Sequence, residues 1–203
     1  MKIRQIIMRL SMALITLIIG VSAVLIWLNY FAVEMSEHSP VTVENTPVPG
    51  EDYDVYSAVL AEKYNNDVIV IGDCTSHFKA DIPDWEPPWT EDTAGDYWLK
   101  NKTNQKLSNF FNVRGLALML SEKEENEIFQ KAETGWKRFY QKYPTAKGIV
   151  YFSRVGYNLN HTQALVYFTH QSAKVAGEDG FIFLEKKKGV WIPKSLGNYY
   201  ISD

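Results

Sequence analysis

The chain has 203 residues, with 21 Lys and Arg against 24 Asp and Glu, a formal net charge of −3. Such an acidic balance without a long basic run is unsuited to nucleic acid, whose affinity rests on neutralised phosphates, so no nucleic-acid partner is expected. Cys74 is the single cysteine, so no internal disulfide can staple the fold and burial must hold it together.

Residues 1–9 form a basic N-terminus carrying Lys2, Arg4 and Arg9, and residues 10–33 form an apolar run without a charge. At roughly two dozen residues this run can cross a bilayer core of about 30 Å as a helix. Basic residues before it, with Glu34 and Glu37 after it, predict a transmembrane signal anchor whose N-terminus stays cytoplasmic. The rival reading is a signal peptide cut before Val24, after the small residues Val21 and Ala23. The run continues through Trp27, Tyr30 and Phe31, which suit the membrane interface, and this favours a retained anchor over a secreted protein. Beyond the anchor lie 18 basic and 24 acidic residues, a net of −6.

Residues 34–50, rich in Pro, Thr, Val and acids, read as a tether, and 51–203 as one extracytoplasmic domain. Tyr53, Tyr56, Val59, Leu60 and Tyr64 recur at helical spacing, with Asp52 as a candidate N-cap and Asn65 closing the helix. Val68, Ile69, Val70 and Ile71 make a short buried strand bounded by turn formers. Residues 72–95 read as an irregular loop, because Pro83, Pro87 and Pro88 forbid regular structure. Within 97–112 a helical turn ending at Phe110-Phe111 is expected, and 116–120 is a second apolar run of strand length. Ser121 and Glu124 fit a capping box opening a helix with Ile128 and Phe129. Gly135 interrupts that helical region, and Trp136, Phe139, Tyr140 and Tyr143 resume it until Pro144.

In the last third, residues 149–153, 163–170, 181–185, 190–192 and 196–201 read as short strands. Asn158 to His161, a glycine-flanked loop at 172–180 and Lys188-Gly189 connect them, giving an antiparallel meander. Helices first and a meander last predict an α+β domain.

The run Phe152-Ser153-Arg154-Val155-Gly156-Tyr157-Asn158 is followed by 162–167 (TQALVY), Gly177-x-x-Gly180 and Leu184-x-Lys186-x-x-Gly189-x-Trp191. Together these resemble small bacterial exported or membrane-anchored proteins without a characterised activity. The resemblance implies a bacterial cell membrane as location and brings no catalytic set. The closing hairpin also resembles the last strands of cystatin-like and nuclear-transport-factor-like α+β folds.

Chemistry is concentrated at few positions. Asp73, Cys74 and His77 follow a buried strand, where a Cys/His nucleophile–base pair with Asp73 orienting the histidine would suit a hydrolase or transferase. Cys74 is equally a small hydrophobe at a strand end. His77, His161, His170, Asp73 and Asp81 could supply metal ligands, yet no HxH, HExxH or CxxC spacing exists, so neither a metal nor another cofactor is expected. Arg154 either clamps a carboxylate on a ligand or pairs internally and braces the sheet. Trp85 and Trp89, with Tyr97 and Trp98, form an aromatic candidate for protein or small-molecule recognition, or else fold back onto the core. With no complete catalytic constellation, these residues favour a non-catalytic binding or accessory module over an enzyme.

Overall fold

The computed structural model describes residues 43–44, 46–76 and 88–196, with side chains as far as Lys194. Four helices are described: α1 (Gly50–Tyr64), α2 (Glu91–Lys100), α3 (Glu122–Phe129) and α4 (Gly135–Lys142). The strands are β1 (Val43–Glu44), β2 (Val68–Gly72), β3 (Asn104–Gln105), β4 (Leu116–Leu120), β5 (Ala146–Phe152), β6 (Gly156–Tyr157), β7 (Gln163–Ala173), β8 (Ala176–Lys187) and β9 (Val190–Leu196). The α+β expectation holds, on a mixed sheet of order β4-β2-β5-β7-β8-β9, with β6 on β7.

An antiparallel meander accounts for four of that sheet's six strand pairings. β5, β7, β8 and β9 pair antiparallel, whereas β2 lies parallel between β4 and β5. The physical reason is visible in β2. Ile69 and Ile71 join one core while Val70 joins another, so both faces are covered and the strand reads as a continuous apolar run. This parallel half also departs from the cystatin-like and nuclear-transport-factor-like comparison, which rested on the last hairpin.

Alternation along the strands separates two faces. Ile69, Ile71, Val150, Phe152, Val166, Phe168, Ile182 and Leu184 pack with Tyr53, Tyr56, Val59 and Leu60 of α1. Their sequence neighbours face the other side. Val70 and Ile149 meet Ile128 of α3 and Phe139 of α4, and Leu165, Tyr167 and Phe181 meet Tyr97 of α2. The sheet is thus covered by α1 on one side and by α2, α3 and α4 on the other.

Local details explain several boundaries. Ser121 Oγ accepts from the Glu124 amide at 3.3 Å, as the capping box predicts. Asp52 is not the N-cap of α1: Pro49 holds that position, and Asp52 turns inward from the first turn. The helical stretch expected in 97–112 lies earlier, as α2. The loop expected at 172–180 is largely strand, since β8 begins at Ala176 and pairs with β7 from there to Glu185. Lys188 and Gly189 both have positive φ, 51° and 81°, as a two-residue hairpin turn requires. The segment read as tether enters the fold at Val43, where β1 pairs parallel with β3 and Glu44 accepts from Thr103 at 3.0 Å. Among the described residues no helix is long and apolar enough to cross a membrane. The apolar run 10–33, His77, Trp85 and the strand expected from Leu196 to Ile201 (beyond Leu196 itself) lie outside the described residues.

Candidate functional site

In sheets with parallel strands, ligands bind beyond the carboxyl ends of the strands. Here those ends are Gly72 of β2, Leu120 of β4 and Phe152 of β5. Beyond Gly72 the chain stays extended and hydrogen-bonded: Asp73 N–H donates to Leu120 O at 2.9 Å, Thr75 N–H to Gln105 O at 2.8 Å and Ser76 N–H to Phe152 O at 2.8 Å. The edge is therefore closed by backbone from β4, β5 and the 105–107 segment, and Leu107 N–H returns to Asp73 O at 2.8 Å.

Asp73 is buried and forms an ion pair with Lys106. Cys74, half-buried, forms an antiparallel bridge with Lys106. Burial, followed by the negative charge of Asp73, pushes its thiol up to about 11. A nucleophilic cysteine needs the opposite shift. Alkylation of Cys74 by iodoacetamide at pH 8 is accordingly expected to be on the order of a hundredfold slower than for an ordinary thiol of pKa about 8.5. Rapid alkylation at pH 7 would contradict this and restore the nucleophile.

Opposite Asp73, across the edge, Tyr151 donates its hydroxyl to Glu125 of α3. Burial pushes the Glu125 carboxyl up, and the charges of Asp73 and Glu122 add to that direction. The Tyr151 ring reaches α3 by passing over Gly72, where a Cβ would lie 2.6 Å from ring carbons. Outside this contact α3 presents an open polar depression lined by Glu122, Lys123, Asn126, Glu127 and Gln130.

Arg154 follows Phe152 and Ser153 into the interior, where it is 5% exposed. Its Nε donates to Asp52 Oδ2 at 2.9 Å and its Nη1 to Gln105 Oε1. Its main chain is clamped by Asn101, whose Oδ1 accepts from Arg154 N–H at 2.7 Å and whose Nδ2 donates to Arg154 O at 3.0 Å. Asp52 also accepts from Tyr157 Oη at 3.2 Å. Burial raises the Asp52 carboxyl, against the pull of the Arg154 guanidinium. The neighbours complete the pattern. Ser153 Oγ accepts from Tyr167 N–H at 2.8 Å, and Asn158 Oδ1 accepts from Thr162 and Gln163 N–H at 2.8 and 2.9 Å. Gln163 Oε1 accepts from Thr90 N–H at 3.0 Å. The Ser-Arg-Val-Gly-Tyr-Asn run is thus a latch joining α1, α2 and the sheet.

The remaining candidates are dispersed. Trp89 is half-buried, its ring 6.2 Å from that of Phe183, packed against the core of Tyr97, Leu165, Tyr167 and Phe181. His161 meets Glu51 at 2.7 Å and stacks on Tyr157 at 4.8 Å, and Lys186 reaches the other Glu51 oxygen at 2.7 Å. His170 Nε2 lies 3.0 Å from Lys147 O. Among the described residues no three His, Cys, Asp or Glu converge as metal ligands. The sequence marks Asp52 only as a helix cap and does not single out Asn101, Gln105 or the Glu125–Tyr151 pair, because each depends on a partner distant in the chain. Compared with known proteins, the chain matches no family model, no curated protein and no solved structure.

Proposed function

We propose that the domain is a non-catalytic binding or accessory module, carried on a single-pass anchor in a bacterial cell membrane and facing out of the cytoplasm. The observation behind this reading is where the reactive and the sticky side chains lie. Asp73, Cys74 and Arg154 are engaged in holding the fold, while Trp98 and Leu99 of α2 and Leu159 of the β6–β7 loop are 39%, 65% and 88% exposed. Leu159 N–H donates to Asp92 of α2 at 2.9 Å, so that loop and helix share one surface, next in sequence to the Pro/Trp segment containing Trp85. Aromatic and large apolar side chains on a rigid element are the usual anchors of protein recognition. The partner class is an extracytoplasmic protein.

The test is a photo-crosslinker at position 99 in the full chain in cells, with Trp98→Ser and Trp85→Ala as variants. A discrete crosslinked protein that these variants abolish, at unchanged melting temperature, is the expected result. The alternative, a hydrolase or transferase using Cys74 and His77, gains if Cys74→Ala and His77→Ala each abolish the cellular phenotype in a folded protein while Trp98→Ser leaves it intact.

A further inference from the structure

One face of α2 is exposed from end to end. Glu91, Gly95, Trp98 and Lys102 follow at steps of four, three and four residues, the spacing that aligns side chains on one side of a helix, and all four are exposed. Lys102 lies just past the last helical residue, but Asn101 N–H still donates to Tyr97 O at 3.1 Å, so the turn carries the stripe on to it. Leu99 is exposed beside the stripe, and at Gly95 an added Cβ would meet nothing within 4 Å. The rest of the helix is engaged in the fold. Thr93 and Tyr97 are buried, and Asp96 pairs with Lys100 at 2.6 Å. Among the described residues Glu91 and Lys102 form no ion pair.

We propose that this face binds a second copy of the chain, α2 against α2 in antiparallel register about a two-fold axis level with the Asp96–Tyr97 peptide. The proposal rests on the recognition surface described above and names its partner. The stripe is self-complementary, as a two-fold interface requires. Antiparallel counting about that point puts Trp98 of each copy opposite Gly95 of the other, so the indole meets the stripe's one position without a side chain, where close approach is possible. It also puts Glu91 opposite Lys102 at both ends, acid to base, and Leu99 opposite Ala94. Parallel pairing would instead bring Glu91 to Glu91 and Lys102 to Lys102, like charge against like. Trp98 thus falls near the centre and the charges at the rim, the usual arrangement of an interface anchor and its surround.

The test is a photo-crosslinker at position 99 in full chains, with two differently tagged copies expressed in one cell. An adduct carrying both tags is the expected result. Glu91→Lys and Lys102→Glu each set like charges opposite one another at both ends and lower its yield at least about tenfold. Both substitutions in one chain restore it. Gly95→Gln fills the notch with a better helix former than glycine, and abolishes the adduct at an undiminished melting temperature. An adduct that survives the single reversals, or that the double reversal fails to restore in a folded protein, overturns the proposal. An adduct with a protein of different mass overturns it and leaves the recognition surface standing, whereas no adduct at position 99 removes both.

Discussion

Arg154→Ala lowers the stability of the domain by about 3–5 kcal/mol, because it leaves the Asp52 carboxylate buried without its counter-charge. Asp52 is fully buried and Arg154 nearly so, so water does not replace the lost partner. The damage extends beyond one pair, since Gln105 Oε1 loses its donor and Tyr157 keeps its bond to an acid now uncompensated. For a domain of this size each kcal/mol is worth about 2–4 °C in melting temperature, which puts the expected fall near 10 °C or more. The double variant Asp52→Leu with Arg154→Leu should recover much of the loss, because a matched apolar pair avoids the desolvation penalty that a single truncation exposes. A melting temperature unchanged in Arg154→Ala would remove the bracing role and return the guanidinium to the ligand-binding candidates.

The pairing of Arg154 with Asp52 also shows what the sequence could not convey. The two residues are 102 positions apart, and nothing in local spacing links them. Asp52 looked like a helix cap because Asp is common there, yet the cap position falls on Pro49 and the carboxylate points inward. Periodic signals were legible: the three- and four-residue spacing of Tyr53, Tyr56, Val59 and Leu60, the capping box at Ser121, and the hairpin turn at Lys188-Gly189. Strand direction was less so. The consecutive apolar residues of β2 carried the cue for a parallel, doubly covered strand, but short apolar runs fit several settings and only the crossovers decide. Gly177 and Gly180 resembled loop formers, whereas long pairing with β7 holds them in strand geometry. At the candidate site, position was readable and chemistry was not. Cys74 does follow a buried strand, but its burial and the bridge to Lys106 are tertiary facts, and burial together with the adjacent Asp73 turns its thiol away from reactivity.

Two glycine substitutions, one just outside α2 and one within it, are expected to move stability in opposite directions. Gly156 of β6 lies where a Cβ would come within 2.5 Å of Tyr97 N and Cβ and 2.6 Å of Tyr97 Cα. Two of those three atoms are backbone, so no side-chain rotation relieves the overlap, and carbon atoms need about 3.5–4.0 Å. α2 cannot simply withdraw. Asp96 accepts from Tyr157 N–H at 2.8 Å, Asp92 from Leu159 N–H at 2.9 Å, and Tyr97 is fully buried against Leu165 and Phe181. Gly156→Ala must therefore stretch these contacts together, at a cost of about 1–3 kcal/mol or more. A fall in melting temperature with faster amide exchange confined to α2 and β6 would register it. Gly95 sits within α2, where an added Cβ would meet nothing within 4 Å, and Ala there gains helix propensity of about 0.8–1.0 kcal/mol. Gly95→Ala should thus raise the melting temperature slightly. If both variants melt like the parent, α2 is not clamped to the 155–159 segment, and the surface formed by Trp98, Leu99 and Leu159 loses the rigidity that recognition requires.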